Sequence, residues 1–284
     1  MSTSVTSTTH ATTNPAITSA KVIMFREANL GFSATVSQRY GDDAKVGTTI
    51  RWANWSAPNS GVARTKSEGN SGNDITYDVN TDTAVTLTIN QWMYSAYELE
   101  EFEEALSIVE LEANLNSSAA YVLNVSIDDT LAALVDDFTQ AEGTLAMPFG
   151  DSEIRRCIQY LEDANAPAEG RYMGVSPAAK MTLLGIERYV SSDFNRGGAG
   201  NILTGGFGSI YDLSLFVSTN IEGSNAAGHD NGIWQRDAMA MAMRMKPRTR
   251  NFDDIQNLSQ QHSISAIWGV IEPRDDHGTF LRGE

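Results

Sequence analysis

The chain has 284 residues, enough to bury a sizeable core in one or two domains, and its composition is that of an ordinary globular protein. It carries 20 Lys and Arg against 36 Asp and Glu, a formal charge of −16, which argues against a protein whose main task is gripping nucleic acid. A single cysteine, Cys157, excludes an intrachain disulfide framework, no run approaches the roughly 18 apolar residues a membrane helix needs, and the amino terminus does not read as a secretory signal.

Residues 1–44 are expected to be an arm. The first 20 are rich in Ser and Thr and lack the apolar content to fold alone, and Ala20 to Tyr40 suggests extended arm or short helix rather than core. Residues 45–92 change character: Val46, Thr48, Ile50 and Trp52 alternate with Gly47, Thr49 and Arg51, and Val85, Leu87 and Ile89 share one side of a second strand. Between these strands lies a polar, Gly-containing excursion that cannot make a core, so the pair reads as an extended hairpin projecting from the body. Another surface is needed to order such an arm.

The longest periodic stretch runs from Gln91 to Gln140; it begins as a strand end and then holds a helical period, expected as one helix over 93–143. Leu99, Phe102, Leu106, Val109, Ala113, Tyr121, Val125, Leu131, Leu134, Val135 and Phe138 form its apolar face. The opposite face of its first half is almost wholly carboxylate, with Glu98, Glu100, Glu101, Glu103, Glu104, Glu110 and Glu112. One helix of about 40 residues would span about 60 Å, more than a compact domain needs. The spacing of Ser126 and Asp129 resembles a capping box that would split it in two.

Residues 144–233 read as alternating helices and strands. Asp151 or Ser152 caps a helix carrying Ile154, Cys157, Ile158 and Leu161. A strand from Tyr172 to Val175 then leads to a helix with Ser176 as N-cap and Pro177 in its first turn. The Gly-rich stretch 191–208 reads as loop, Leu213, Leu215 and Val217 mark a strand, and Gly223–Gly232 a further loop. Residues 234–284 alternate: as a strand, Met239, Met241, Met243 and Met245 share one face and Ala238, Ala240 and Ala242 the other, while Ala and Met also suit a helix; then come Ile264, Ala266, Trp268 and Val270, a turn at Pro273, and a last short strand at Thr279–Leu281.

Signals for chemistry fail one by one. The glycines from Gly198 to Gly208 match neither a dinucleotide nor a phosphate-loop pattern, and Ser176 lacks the trailing glycine of a nucleophile elbow. His10, His229, His262 and His277 are scattered, and the densest polar cluster, Asp275, Asp276 and His277, reads as a solvated turn. No catalytic residue, cofactor or metal is expected. Arg244, Lys246, Arg248 and Arg250 form the one basic cluster, which is expected to pair with the Glu-rich segment of this or a neighbouring copy rather than with nucleic acid.

Four stretches, in order, carry a family resemblance: TLTINQWMYSAYELEEFE, AYVLNVSIDDTLAALV, GRYMGVSPAAKMTLL and GSIYDLSLFVSTNI. Over nearly its whole length the chain resembles the major capsid proteins of tailed bacteriophages, whose fold is shared with encapsulins and the herpesvirus capsid floor. Tyr211 and Asp212 depart from the Gly-Phe common at that place in the family. The resemblance implies an α+β phage major capsid fold: N-terminal arm 1–44, extended hairpin or E-loop 45–92, spine helix of a peripheral domain 93–143, axial domain 144–233, and returning peripheral strands 234–284. It favours one continuous spine with Ser126 inside it.

The resemblance also implies a homo-oligomer of pentamers and hexamers that encloses double-stranded DNA without reading its sequence, assembled in the host cytoplasm with a scaffolding protein and portal, and in some members a decoration protein, with no membrane. On this reading Trp52, Trp55, Arg64, Lys66, Glu101, Glu104, Arg196, Arg248 and Arg250 are expected at contacts between subunits. No residue matches the Lys, Asn and Glu trio of cross-linking members. The alternatives are an encapsulin-type compartment and a soluble enzyme with a site in the Gly-rich loop 196–208.

Overall fold

The computed structural model describes residues 31–39, 47–55, 63, 77, 82–100, 111–144, 147–186, 209–224 and 227–283. In chain order come the short helix α1 (Phe32–Thr35), strands β1 (Thr49–Trp55), β2 (Asp82–Thr88) and β3 (Gln91–Glu100), helix α2 (Leu111–Ala132) and strand β4 (Ala141–Gly143). Helix α3 (Asp151–Asp163), strand β5 (Arg171–Val175) and helix α4 (Pro177–Leu184) follow, then β6 (Ser209–Ile210), β7 (Leu213–Val217), β8 (Gly223–Ser224) and β9 (Gly228–Gln235). The chain closes with β10 (Ala240–Asp254), β11 (Ser259–Ile271), a 3-10 turn (Asp275–His277) and β12 (Gly278–Gly283). Among the described residues these build three sheets: β1–β2, β10–β11–β3, and β4–β12–β9–β5–β7–β6 with β8 paired to β9.

The segment expected to be one long helix from residue 93 begins as strand. β3 pairs with β11 from Gln91 to Glu100, so Glu98, Leu99 and Glu100 belong to a sheet. Aromatic residues favour the pleated surface, and the alternation of Met93, Tyr97 and Leu99 inward with Trp92, Tyr94 and Glu98 outward satisfies a period of two as well as the neighbouring residues satisfy 3.6. Residues 101–110 lie outside the described residues. Helix α2 then runs 22 residues, about 33 Å at ~1.5 Å per residue. It continues through Asn114–Ser118, and Ser126 lies inside it with its Oγ donating to Val122 O at 3.1 Å, so the chain does not start a second helix there. Leu134, Val135 and Phe138 lie past its end, in turns.

Helix α2 covers one face of the three-stranded sheet. Ala119, Leu123, Ile127 and Leu131 pack with Met93, Tyr97, Ile264, Ala266 and Trp268. The Trp268 indole N–H donates to Thr130 Oγ1 at 3.1 Å, so this large ring is buried with its polar atom satisfied.

The seven-stranded sheet lies between two cores. On one side Ile154, Cys157 and Leu161 of α3 and Ala179 and Leu183 of α4 meet Met173, Val175, Ile233 and Leu281. On the other side Trp234 and Phe280 join the core under α2. Helix α3 is not capped by Asp151 or Ser152: Gly150 is the N-cap, and its N–H donates to Glu153 Oε2 at 2.8 Å. Ser176 caps α4 as the sequence indicates, its Oγ accepting from Ala179 N–H at 3.1 Å.

Two strands escape a reading by pattern. Tyr211 and Asp212, with φ of 49° and 62°, form the two-residue turn of a hairpin between β6 and β7, rather than the middle of one strand. The residues expected as a loop over Gly223–Gly232 include β8 and most of β9, where Asn231 is buried, accepting from Ser176 N–H at 2.7 Å and donating to His229 O and Gly283 O.

From Ala240 onward the alternating Ala and Met residues are strand, not helix, while Ala238 and Met239 precede it in a turn and share one core. Met239 and Met241 enter the core under α2 while Ala242 packs with Ile50, Leu87 and Ile89 at the root of the hairpin. That root passes close to β11: a methyl on Gly269 would lie 2.3 Å from Thr88 O. β1 and β2 pair in full register from Thr49↔Thr88 to Trp55↔Asp82.

Candidate functional site

The arm root, expected outside the core, is part of it. Phe32 is buried, stacked on Trp234 with ring centroids 5.5 Å apart and edge-on to Phe216 at 5.1 Å. Asp128 of α2 accepts Phe32 N–H at 3.1 Å and Ser33 N–H at 3.4 Å, closing the exposed end of α1 across 96 residues of sequence. Burial pushes the Asp128 carboxyl above its ordinary range, against the lowering effect of these backbone donors. Ser37 bonds in parallel to the chain entering β10, and Arg39 pairs with Asp237 at 2.6 Å. Residues 31–39 are therefore anchored to α2, β9 and the chain entering β10.

The hairpin base, the arm root and the 3-10 turn enclose a cleft of about 470 Å³ lined by Trp52, Asn54, Arg39, Asp237, Arg274 and His277. Burial holds His277 below its ordinary value, with Asp276 acting in the opposite direction.

The second surface is the face of the three-stranded sheet away from α2. Register places Trp92–Ile267–Met245, Tyr94–Ser265–Arg248, Ala96–Ser263–Arg250 and Glu98–Gln261–Phe252 in successive rows. Trp92 is 74% exposed, Tyr94 73% and Phe252 69%. At the Phe252 end of this face a groove of about 490 Å³ is lined by Ala96, Glu98, Arg250, Phe252, Gln261 and Ser263. At the β10–β11 turn Ile255 and Leu258 are exposed as well. An array of large apolar side chains beside cations is what a protein-binding surface uses; scattered single residues would carry no such meaning.

Of the residues expected at subunit contacts, Trp52 lies half-buried at the hairpin base, opposite Val85. Trp55 pairs with Asp82 at the last described rung. Arg248 and Arg250 stand on the exposed sheet face, opposite Ser265 and Ser263. Arg64, Lys66, Glu101, Glu104 and Arg196 lie outside the described residues, as does the Gly-rich loop 196–208. Trp92, Tyr94 and Phe252, which share the face with the two arginines, were not singled out by sequence; once 91–100 is known to be a strand, their period-two spacing identifies them.

Among the described residues no group of three His, Cys, Asp or Glu side chains could hold a metal. Cys157 is buried among Ile154, Leu161 and Met173, and that burial pushes its thiol up to about 12.

No protein-family model matches the chain, and no match is found among curated proteins. Solved structures do match. A chain from Mycobacterium phage Che8 superposes with a TM-score of 0.83 at 19% identity, covering 94% of this chain and 96% of that one. A chain from the capsid of the cyanophage P-SCSP1u gives 0.77 at 12% identity over 95% and 93%, and one from the mature capsid of bacteriophage PhiM1 gives 0.72 at 13% over 95% and 92%. The chain therefore has the fold of phage capsid proteins.

Proposed function

We propose that the chain is the major capsid protein of a tailed bacteriophage, closing through pentamers and hexamers into the icosahedral shell that holds the double-stranded genome. The observation that carries this reading is end-to-end agreement with capsid chains, over more than nine-tenths of both partners in each comparison. The surfaces support it: a buried segment at residues 31–39, a strand pair attached to the body at its base, and a sheet face that exposes Trp92, Tyr94 and Phe252 beside cationic side chains. Trp52, Trp55, Arg64, Lys66, Glu101, Glu104, Arg196, Arg248 and Arg250 are the proposed contacts between copies, and the exposed face adds Trp92, Tyr94 and Phe252. Obligate contacts of this kind bury on the order of 2,000 Å² or more.

The protein acts mechanically rather than as an enzyme, resides in the virion after assembly in the host cytoplasm, and works with a scaffolding protein and a portal. The net charge of −16 limits adhesion of packaged DNA to the wall. Sedimentation of the purified protein, alone and co-expressed with its scaffold, tests the reading. Fast-sedimenting closed particles are expected; monomers under both conditions would contradict it.

A further inference from the structure

The cleft of about 470 Å³ beside the hairpin base has walls from parts of the chain that are distant in sequence: Arg39 beyond α1, Trp52 of β1, Asp237 before β10, and Pro273, Arg274 and His277 between β11 and β12. Its charges do not balance. Arg39 meets Asp237 through Nη2 alone, 2.6 Å from each carboxylate oxygen, and its Nε and Nη1 take part in no hydrogen bond among the described residues. Arg274 is exposed, and among the described residues its guanidinium makes no hydrogen bond or ion pair. Asp275 and Asp276, its neighbours in sequence, do not line the cleft: Asp275 accepts Thr139 N–H at 2.7 Å, and Asp276 lies 3.8 Å from His277 Nε2. Two guanidinium groups therefore share the cleft with one carboxylate, on a chain whose formal charge is −16.

His277 supplies a second, independent observation. It lines the same cleft, is 6% exposed, and among the described residues its buried Nδ1 has no hydrogen-bond partner. A buried polar nitrogen seldom stays unpaired, and a carboxylate oxygen is an acceptor that an imidazole N–H can use. Trp52 and Pro273 add an apolar wall, which a free inorganic ion would leave uncovered and the stem of an acidic side chain would cover.

We propose that this cleft receives an Asp or Glu side chain of a second copy of the chain, its carboxylate held by Arg274 and Arg39 and its stem lying against Trp52. The presence of a second copy rests on the capsid reading; the choice of a carboxylate rests on the charges and the unpaired imidazole nitrogen of the cleft. Guanidinium groups hold carboxylates by paired, charge-assisted hydrogen bonds that fix orientation as well as adding strength. The Arg39–Asp237 pair does not compete with this. Its side chains are 69% and 35% exposed, and ion pairs at such a surface are weak, so Arg39 can take a second acceptor at little cost. The occupant ties the hairpin base, residues 31–39 and the β11–β12 connection of one subunit to its neighbour at a single point.

Electron cryo-microscopy of wild-type shells, with assembly of Arg274 variants, tests the site. The wild-type map should show an acidic side chain of a neighbouring copy in the cleft. Arg274→Glu sets like charge against that side chain and should lower the yield of shells about tenfold or more. The urea midpoint of its unassembled subunit should match the wild type, because the Arg274 guanidinium has no partner within the described subunit. Arg274→Lys should keep most of the yield, and changing the neighbour's carboxylate to Lys in the Arg274→Glu chain should restore it. The map decides the matter if Arg274→Glu does not fold. Shells whose cleft holds no acidic side chain, or Arg274→Glu shells at the wild-type yield, would overturn the proposal and leave the capsid reading standing. A wild-type chain that forms no shells would overturn both.

Discussion

Among the described residues the seven-stranded sheet is covered on both faces, whereas the three-stranded sheet is covered by α2 on one face and on the other only where the hairpin root packs beside Ile267 and Gly269. Burial runs continuously along β5, β9 and β12, with α3 and α4 on one side and the core under α2 on the other. Along β3 burial alternates residue by residue, and the outward row is aromatic. The difference separates two roles within one chain: the first sheet carries much of the core, and the second leaves Trp92, Tyr94 and Phe252 exposed.

That contrast can be broken by mutation. Trp234→Ala, in the doubly covered sheet, should cost about 3–5 kcal/mol in urea unfolding and leave little folded protein. Asp128→Ala removes the acceptor that holds α1 and should cost about 1–3 kcal/mol, read by the same titration, with proteolysis at the arm root as a second measure. Trp92→Ser with Tyr94→Ser should change stability by no more than about 0.5 kcal/mol, because both rings are exposed, yet abolish shell formation. Arg248→Glu with Arg250→Glu should act likewise, with assembly recovering least at low salt, where charge repulsion is least screened. Deleting residues 58–80 should also leave a folded, assembly-deficient subunit; normal shells from it would remove the hairpin from the account.

Much of the fold is legible in the sequence because local rules agree with tertiary demands. Ser176 followed by Pro177 marks the start of α4, and the Ile264, Ala266, Trp268 row marks a strand with one wet face. Elsewhere the rules conflict. The residues from Gln91 to Glu100 satisfy both strand and helix periods near Leu99, and pairing with β11 decides between them. β9, with the sequence GHDNGIWQ, has the composition of a loop; it is a strand because its polar groups, Asn231 above all, find partners that lie far away in sequence. Phe32 sits in a polar arm, and nothing local signals that Trp234 and Asp128 await it. The arginines of the candidate surface were visible as a cluster, but their aromatic neighbours required the register of three strands to be known.

The central claim is that this subunit is completed by copies of itself. Electron cryo-microscopy of particles purified from co-expression with the scaffold tests it most directly. The account predicts closed shells of pentamers and hexamers in which the face bearing Trp92, Tyr94 and Arg250 is covered by a neighbouring copy. Particles that leave this face bare in every subunit, or a chain that never closes into a shell, would contradict it.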